Sequence, residues 1–354
     1  MFKSIKSNLI KYWHLALFLA ISTVCYISVL IPPRFFWPAV FTSYAIPVVL
    51  ILNMVILIIV PIFRLKLMLY PIVSLLLGLP FLLVTISFKS ERNTKDSDLS
   101  ILSFNAKYFR KLKTYDEFSV PMIRWLADDT SDIKCLQEYS TNSMYPEIDV
   151  TKQVKAHGYH SFVYRANIKD ADHNPGMAIF TKYNILDSGL ILNNQYSINE
   201  IMYVDIKKKS DTIRIYNVHL ESMGLDIHGY KYFNRYEAKL KRLGSRLKWG
   251  AEQRSTQIYK LIEHTAQSPY PYIICGDFND TPYSYNYFKL KRYFNNTFEE
   301  AGNGFGFTFN SLLFFLRIDH QFYSEQIEPL DFHVDRSMKI SDHFPTRGIY
   351  RIKN

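Results

Sequence analysis

From Tyr12 to Phe88 the chain carries only three charged residues, Arg34, Arg64 and Lys66. They divide the stretch into three apolar runs, Tyr12 to Ile31, Trp37 to Phe63 and Leu65 to Phe88. Each run reaches the roughly 20 residues needed to cross a hydrocarbon core, so the expectation is three transmembrane helices in an anchor over residues 1–88. Lys3, Lys6 and Lys11 would suit a cleaved signal peptide. However, the first run is longer than the usual h-region of about 7 to 15 residues, no small-residue cleavage site follows it, and two more runs come after. Pro47, Pro71 and Pro80 do not exclude helices there, because neighbouring helices can satisfy the freed carbonyls.

The net charge of +10 invites a nucleic-acid reading, but its location argues otherwise. Up to Lys95 there are nine Lys or Arg and one acid, Glu91; the rest of the chain holds 33 bases and 31 acids, a balance of +2. The excess is membrane flank. Lys3, Lys6 and Lys11 before the first run, with Arg64 and Lys66 between the second and third, place the N-terminus and second loop in the cytoplasm by the positive-inside rule. Three crossings then put everything after Phe88 on the non-cytoplasmic side of the cell's inner membrane, although Lys89, Arg92 and Lys95 run against that orientation. Three cysteines, Cys25, Cys135 and Cys275, all in apolar runs, define neither a disulfide framework nor a zinc site.

Lys89 to Asp98, "KSERNTKDSD", is polar and charged and suits a tether over residues 89–98. From residue 99 to 354 short β-rich runs alternate with helical patterns. "LSILSFNA" and "DIKCLQEY" read as strands flanking the amphipathic "VPMIRWLADD". "YHSFVYR", "GMAIFTKY", "MYVDIKK" and "TIRIYNVHL" follow at hairpin-like spacing, and "LRIDHQFYS" with the segment ending "ISDHFPTRGIY" closes the chain. Between Glu221 and His264 the pattern turns helical, with Tyr236, Leu240, Leu243 and Leu247 in one stripe. The basic run Lys231 to Arg254 around it reads as a solvated face, or as a patch for phosphate-rich substrate or anionic lipid.

The chemistry sits at strand ends. In "YIICGDFNDTP" an apolar strand runs into Asp277, Asn279 and Asp280. Alone this is a turn. Yet Asn105, Glu138, His219, Asp319 and the pair Asp342 and His343 also stand at the tips of otherwise apolar runs. Each has a plain explanation: Glu138 or Asp342 could cap a turn, His219 could be a half-buried imidazole, and Asp319 could pair with Arg317 or Arg336. Polar groups at so many strand ends are costly unless they meet one another or a ligand.

The segments "LSFNAK", "CLQEY", "GMAIFTK", "NVHLES", "CGDFND", "RIDHQF" and "SDHFP" resemble, in order, the motifs of the endonuclease/exonuclease/phosphatase superfamily, from Leu99 to Tyr350. The resemblance implies a four-layer α/β sandwich, two mostly antiparallel sheets face to face with helices outside. It implies Mg2+, with Mn2+ or Ca2+ as alternatives, on Glu138 and Asp342 with help from Asn105. His343, oriented by Asp319, would be the general base or the phosphate-binding group. Asp277 would position the nucleophile or protonate the leaving group, Asn279 and Asn105 would bond the phosphate or orient neighbours, and His219 would donate to a phosphoryl oxygen. Some nuclease members have an acid where this chain has Lys107, which argues against a second metal carboxylate from that strand. No carboxylate that would orient His219 is visible in the sequence.

The expected activity is hydrolysis of phosphodiesters by a membrane-anchored enzyme, nuclease-like by preference. A phospholipid or sphingomyelin phosphodiesterase, a phosphoinositide phosphatase and a non-catalytic binding protein on the same scaffold are the alternatives. The expected partners are a nucleic acid or a phospholipid head group, and no protein partner is inferable.

Overall fold

Proline and glycine cut the apolar N-terminal runs into short helices. In the computed structural model, which describes residues 12–90, 92–111, 117–168, 175–222, 236–311 and 313–353, these are α1 (Trp13–Ser28), α2 (Ala39–Tyr44), α3 (Ile46–Phe63), α4 (Leu69–Leu77) and α5 (Leu79–Thr85). Pro47 sits in the first turn of α3, where its missing N–H costs no bond, and Gly78 separates α4 from α5. The expectation of three transmembrane helices is therefore not supported. Among the described residues no single helix is long and apolar enough to cross a membrane. The pair Leu65–Leu77 and Leu79–Thr85 has the length and composition together but is bent by 58°. Composition counts apolar letters and misses where the backbone must restart.

The chain divides into two units. The first holds residues 1–85, 224–255 and 281–289. Within it Asn53 of α3 donates to Ser22 of α1 at 3.2 Å, a buried polar link, and Tyr26 stacks on Phe81 at 5.3 Å. Thr85 and Tyr283 share a hydrogen bond of 2.8 Å. Lys3, Lys6, Lys11 and the head of the basic run from Lys231 lie outside the described residues.

The second unit carries two six-stranded sheets. One orders β13 (Ile327–Val334), β14 (Thr346–Ile352), β2 (Leu99–Asn105), β3 (Ile133–Tyr139), β5 (Gly176–Thr181) and β4 (His160–Arg165). The other orders β10 (Asn295–Asn296), β12 (Asp319–Tyr323), β9 (Tyr272–Asp277), β8 (Asp211–His219), β7 (Ile201–Lys208) and β6 (Asn184–Leu190). Each sheet is antiparallel except for one parallel pair, β2 with β3 and β8 with β9. A two-residue β1 (Ser87–Phe88) pairs with β11 (Asn303–Gly304). Arg92 pairs with Glu328, and Arg351 reaches back to Asp98.

The inner faces of the two sheets supply one core: Ile101, Ile133, Cys135 and Ile179 from the first, and Val204, Ile215, Ile273 and Cys275 from the second. A second core lies beneath α6 (Val120–Asp128) and α7 (Val150–Lys155), where Ile123 and Leu126 pack with Phe104, Leu136 and Phe180. Ser119 caps α6, its hydroxyl accepting from the Met122 N–H. On the far sheet the end of α8 (Tyr236–Ala266) brings His264 edge-on to Tyr216 at 5.7 Å. The four layers follow from burial. Sequence reading missed β6 and β13, both edge strands: "NILDSGL" is half exposed without alternation, and β13 carries Pro329 at a bulge.

Candidate active site

The parallel pairing aligns strand ends. In β2 and β3 the ladder pairs Asn105 with Gln137, and in β8 and β9 it pairs His219 with Asp277. Gln137 donates to Asn217 at 2.6 Å, and Asn217 donates to the carbonyls of Leu136 and Ala178, so buried amides join the two sheets beside these ends. Gly276 has φ 145°, and a Cβ there would stand 2.0 Å from the Val218 carbonyl oxygen. Only glycine lets β9 approach β8 so closely. A register shift between Leu136 and Tyr139, with Glu138 at φ 45°, turns that carboxylate out of the ladder.

Asn105 is the hub. Its amide donates to Glu138 at 3.3 Å and to Asp277 at 3.0 Å, using both hydrogens, while its carbonyl oxygen accepts the Lys107 N–H. His219 presents its Nδ1 side to the Ile198 carbonyl at 3.1 Å. Its Nε2 then faces Glu138 and Asp277 at 3.8 and 3.9 Å. A backbone carbonyl thus orients His219. The Ile198 loop is itself held by buried Glu200, whose carboxylate accepts from the N–H groups of Leu192, Asn194 and Ile201.

Across the cluster, His343 Nδ1 bonds Asp319 at 2.9 Å and its Nε2 lies 3.7 Å from Asp277. Burial alone would lower the imidazole pKa; Asp319 and Asp277 outweigh it and push it up to about 10. Asp277 itself is raised by burial and then by Asp319, against the pull of His343. Glu138 is raised by loss of water around it and by the Asp342 charge, against the pull of His219. Asp342 receives the ammonium of Lys107.

The structure thus gathers Asn105, Glu138, His219, Asp277, Asp319 and His343 around one point, with Asp342 adjoining. Asn279 is placed differently. It sits at φ 50°, its N–H donates to Asp277 at 2.8 Å and its side-chain amide to the Leu220 carbonyl at 3.0 Å, so it shapes the turn that aims Asp277. Sequence reading missed Gln137, Glu200 and Ser341, whose hydroxyl donates to the Asn105 carbonyl at 2.8 Å. The adjoining motif letters were a signal for Gln137 and Ser341; none marked Glu200.

A model of the endonuclease/exonuclease/phosphatase family matches residues 102–343. The chain belongs to that family. Its members are hydrolases of phosphoester bonds, typically dependent on a divalent metal. A model of a domain of unknown function (DUF8431) matches residues 8–85, and no curated protein matches. Solved structures of similar fold include a family member from Beutenbergia cavernae (15% identical, TM-score 0.55, covering 73% of this chain and 72% of that one). Another, from Bacteroides vulgatus, is 16% identical with TM-score 0.54, covering 72% and 99%. TDP2 of D. rerio, complexed with single-strand DNA product, is 17% identical with TM-score 0.50, covering 72% and 100%. At such identities the likeness is one of fold.

The donor set fits a hard cation. Oxygens of Asp277 and Asp319 and a nitrogen of His343 lie within 4.8 Å of one another, a grouping able to hold an ion. In that grouping, however, both Asp319 oxygens already face the imidazole Nδ1, at 2.9 and 3.1 Å. Glu138 instead is raised first by burial and further by the nearby Asp342 charge, the condition a divalent cation relieves.

Proposed function

We propose that this family member is a divalent-metal-dependent phosphodiesterase. The observation that carries the reading is the Asn105 amide bridging Glu138 and Asp277 while the His343–Asp319 pair faces Asp277 from the other side. Glu138 and Asp342 would hold Mg2+, which when bound polarises a phosphoryl oxygen and stabilises the leaving oxyanion. His343, flanked by two carboxylates, binds the scissile phosphate as a cation. Asp277 takes the proton of the attacking water, Asn105 holds that carboxylate in place, and His219 donates to a phosphoryl oxygen as charge develops. Asn279 fixes the Asp277 turn.

The first unit would associate with the cell membrane. Leu17, Ile21, Val24 and Ile27 of α1 and Ile51, Ile58 and Ile62 of α3 are exposed, an apolar surface larger than a water-facing protein usually carries. In this reading residues 89–98 link the membrane unit to the catalytic unit. A nuclease-like substrate is the second reading, favoured by the DNA product held by the D. rerio structure. The test is turnover by the full chain in detergent, with Mg2+ and with chelator, of bis(p-nitrophenyl) phosphate, plasmid DNA, RNA and phospholipid. Chelator-sensitive hydrolysis is expected; folded protein that cleaves none of them would sink the proposal.

A further inference from the structure

Residues 302–316, "GNGFGFTFNSLLFFL", contain no charged side chain. The root of this loop is hooked to the site. Thr308 accepts from the Asp319 N–H, Asn310 donates to the carbonyls of Asp342 and Ser341, and Phe309 lies edge-on to His343 at 5.3 Å. Its outer part turns apolar rings outward: Phe305 is 50% exposed, Phe314 66% and Phe315 45%. Burial of such rings is favourable, so the folded chain alone leaves part of that stabilisation unused at three positions.

We infer that this loop is the lipid-facing arm of the site, and that the substrate is a phosphodiester bearing an apolar body on one ester, a phospholipid. This rests on the phosphodiesterase reading above. Charge argues for an apolar ligand: nucleic-acid platforms couple stacking rings to a cationic groove, and this loop has no base of its own, while Arg336 beside it donates to the Phe307 carbonyl at 3.4 Å. Arg317 at its foot is 2% exposed, its guanidinium 4.0 Å over the Phe298 ring, and Lys107 is engaged by Asp342. The exposed rings sit in pairs. Phe305 stacks on Phe307 at 5.2 Å, and Phe314 and Phe315 meet edge to face at 5.8 Å. Together these exposed rings present an apolar ridge suited to acyl chains. Hydrolysis there adds one water across the P–O bond, giving a phosphate monoester and an alcohol.

The experiment compares the full chain with its Phe314→Ser/Phe315→Ser variant, and with Phe314→Ser alone, after checking that melting temperatures match. Each is given phospholipid in mixed micelles, bis(p-nitrophenyl) phosphate and single-stranded DNA, all with Mg2+. The ratio of lipid to soluble-diester kcat/KM is expected to fall tenfold or more in the double variant. A smaller fall overturns the proposal, as does wild-type turnover of the soluble diester and DNA without turnover of lipid. Absence of turnover on the soluble diester as well would bring down the phosphodiesterase reading, and the lipid proposal with it.

Discussion

Asp319→Asn isolates one charge at the centre of the site. The substitution keeps the shape and an acceptor oxygen 2.9 Å from His343 Nδ1, and removes only the negative charge. A hydrogen bond to a charged partner is worth about 1.5–3 kcal/mol against about 1 for a neutral one, which sets a lower bound of about 0.5–2 kcal/mol. At about 4 Å and an effective dielectric near 20 the full charge interaction is about 4 kcal/mol, an upper bound. A loss of about 2 to 4 kcal/mol of transition-state stabilisation is a fall of roughly 30- to 1000-fold in kcat/KM. The pH profile carries the sign. With Asp319 present the imidazole pKa is pushed up to about 10, and the phosphate-binding form is the protonated one. Activity should therefore decline as pH rises through that pKa, and removing the carboxylate should move this alkaline limb toward neutral pH. Initial rates on bis(p-nitrophenyl) phosphate with Mg2+ from about pH 6 to 10 read both effects. A variant within threefold of wild type, with its limb unmoved, would refute the role of Asp319. A wild-type decline toward acid instead would reassign His343 as general base.

Glu138→Gln should weaken Mg2+ binding by at least about tenfold in calorimetric titration and lower turnover more than about 100-fold, because a neutral amide replaces a ligand charge. Retained affinity would move the ion to the Asp277, Asp319 and His343 group. Gly276→Ala forces a Cβ to 2.0 Å from the Val218 carbonyl. It should cost more than about 3 kcal/mol in denaturant unfolding, and a loss below about 1 kcal/mol would show that β9 can shift. Lys134 is fully buried, its ammonium on the Leu126 carbonyl, and burial lowers its pKa to about 8 from 10.5. The unfolded chain therefore binds more protons than the folded one between these values, so stability gains as pH rises through that window. Relative to Lys134→Met, the wild type should gain roughly 2 kcal/mol between about pH 8 and 10, read by denaturation at each pH.

Much of the site was visible as polar residues ending apolar runs. Asp277 follows "YIICG", Asn105 follows "LSILSF" and Glu138 follows "IKCLQ", and burial makes those positions too costly for idle polar groups. Other features depend on backbone geometry, which residue identity does not carry. The register shift that turns Glu138 outward, the Ile198 carbonyl that orients His219 and the Glu200 carboxylate that holds its loop all act through main-chain positions. Of the two edge strands missed, β6 is half exposed without alternation and β13 is interrupted by Pro329 at a bulge.

The sequence by itself determined composition-level facts. A long N-terminal stretch is nearly free of charge, the remainder is close to neutral, and apolar strands end in acids, amides and imidazoles, because transfer free energies depend on residue type alone. The tertiary structure decided which of those groups meet. Asn105 lies 172 positions from Asp277, yet its amide bonds that carboxylate at 3.0 Å. Such a contact depends on how two sheets pack face to face, while in the N-terminal stretch the backbone breaks at proline and glycine left short helices rather than three continuous ones.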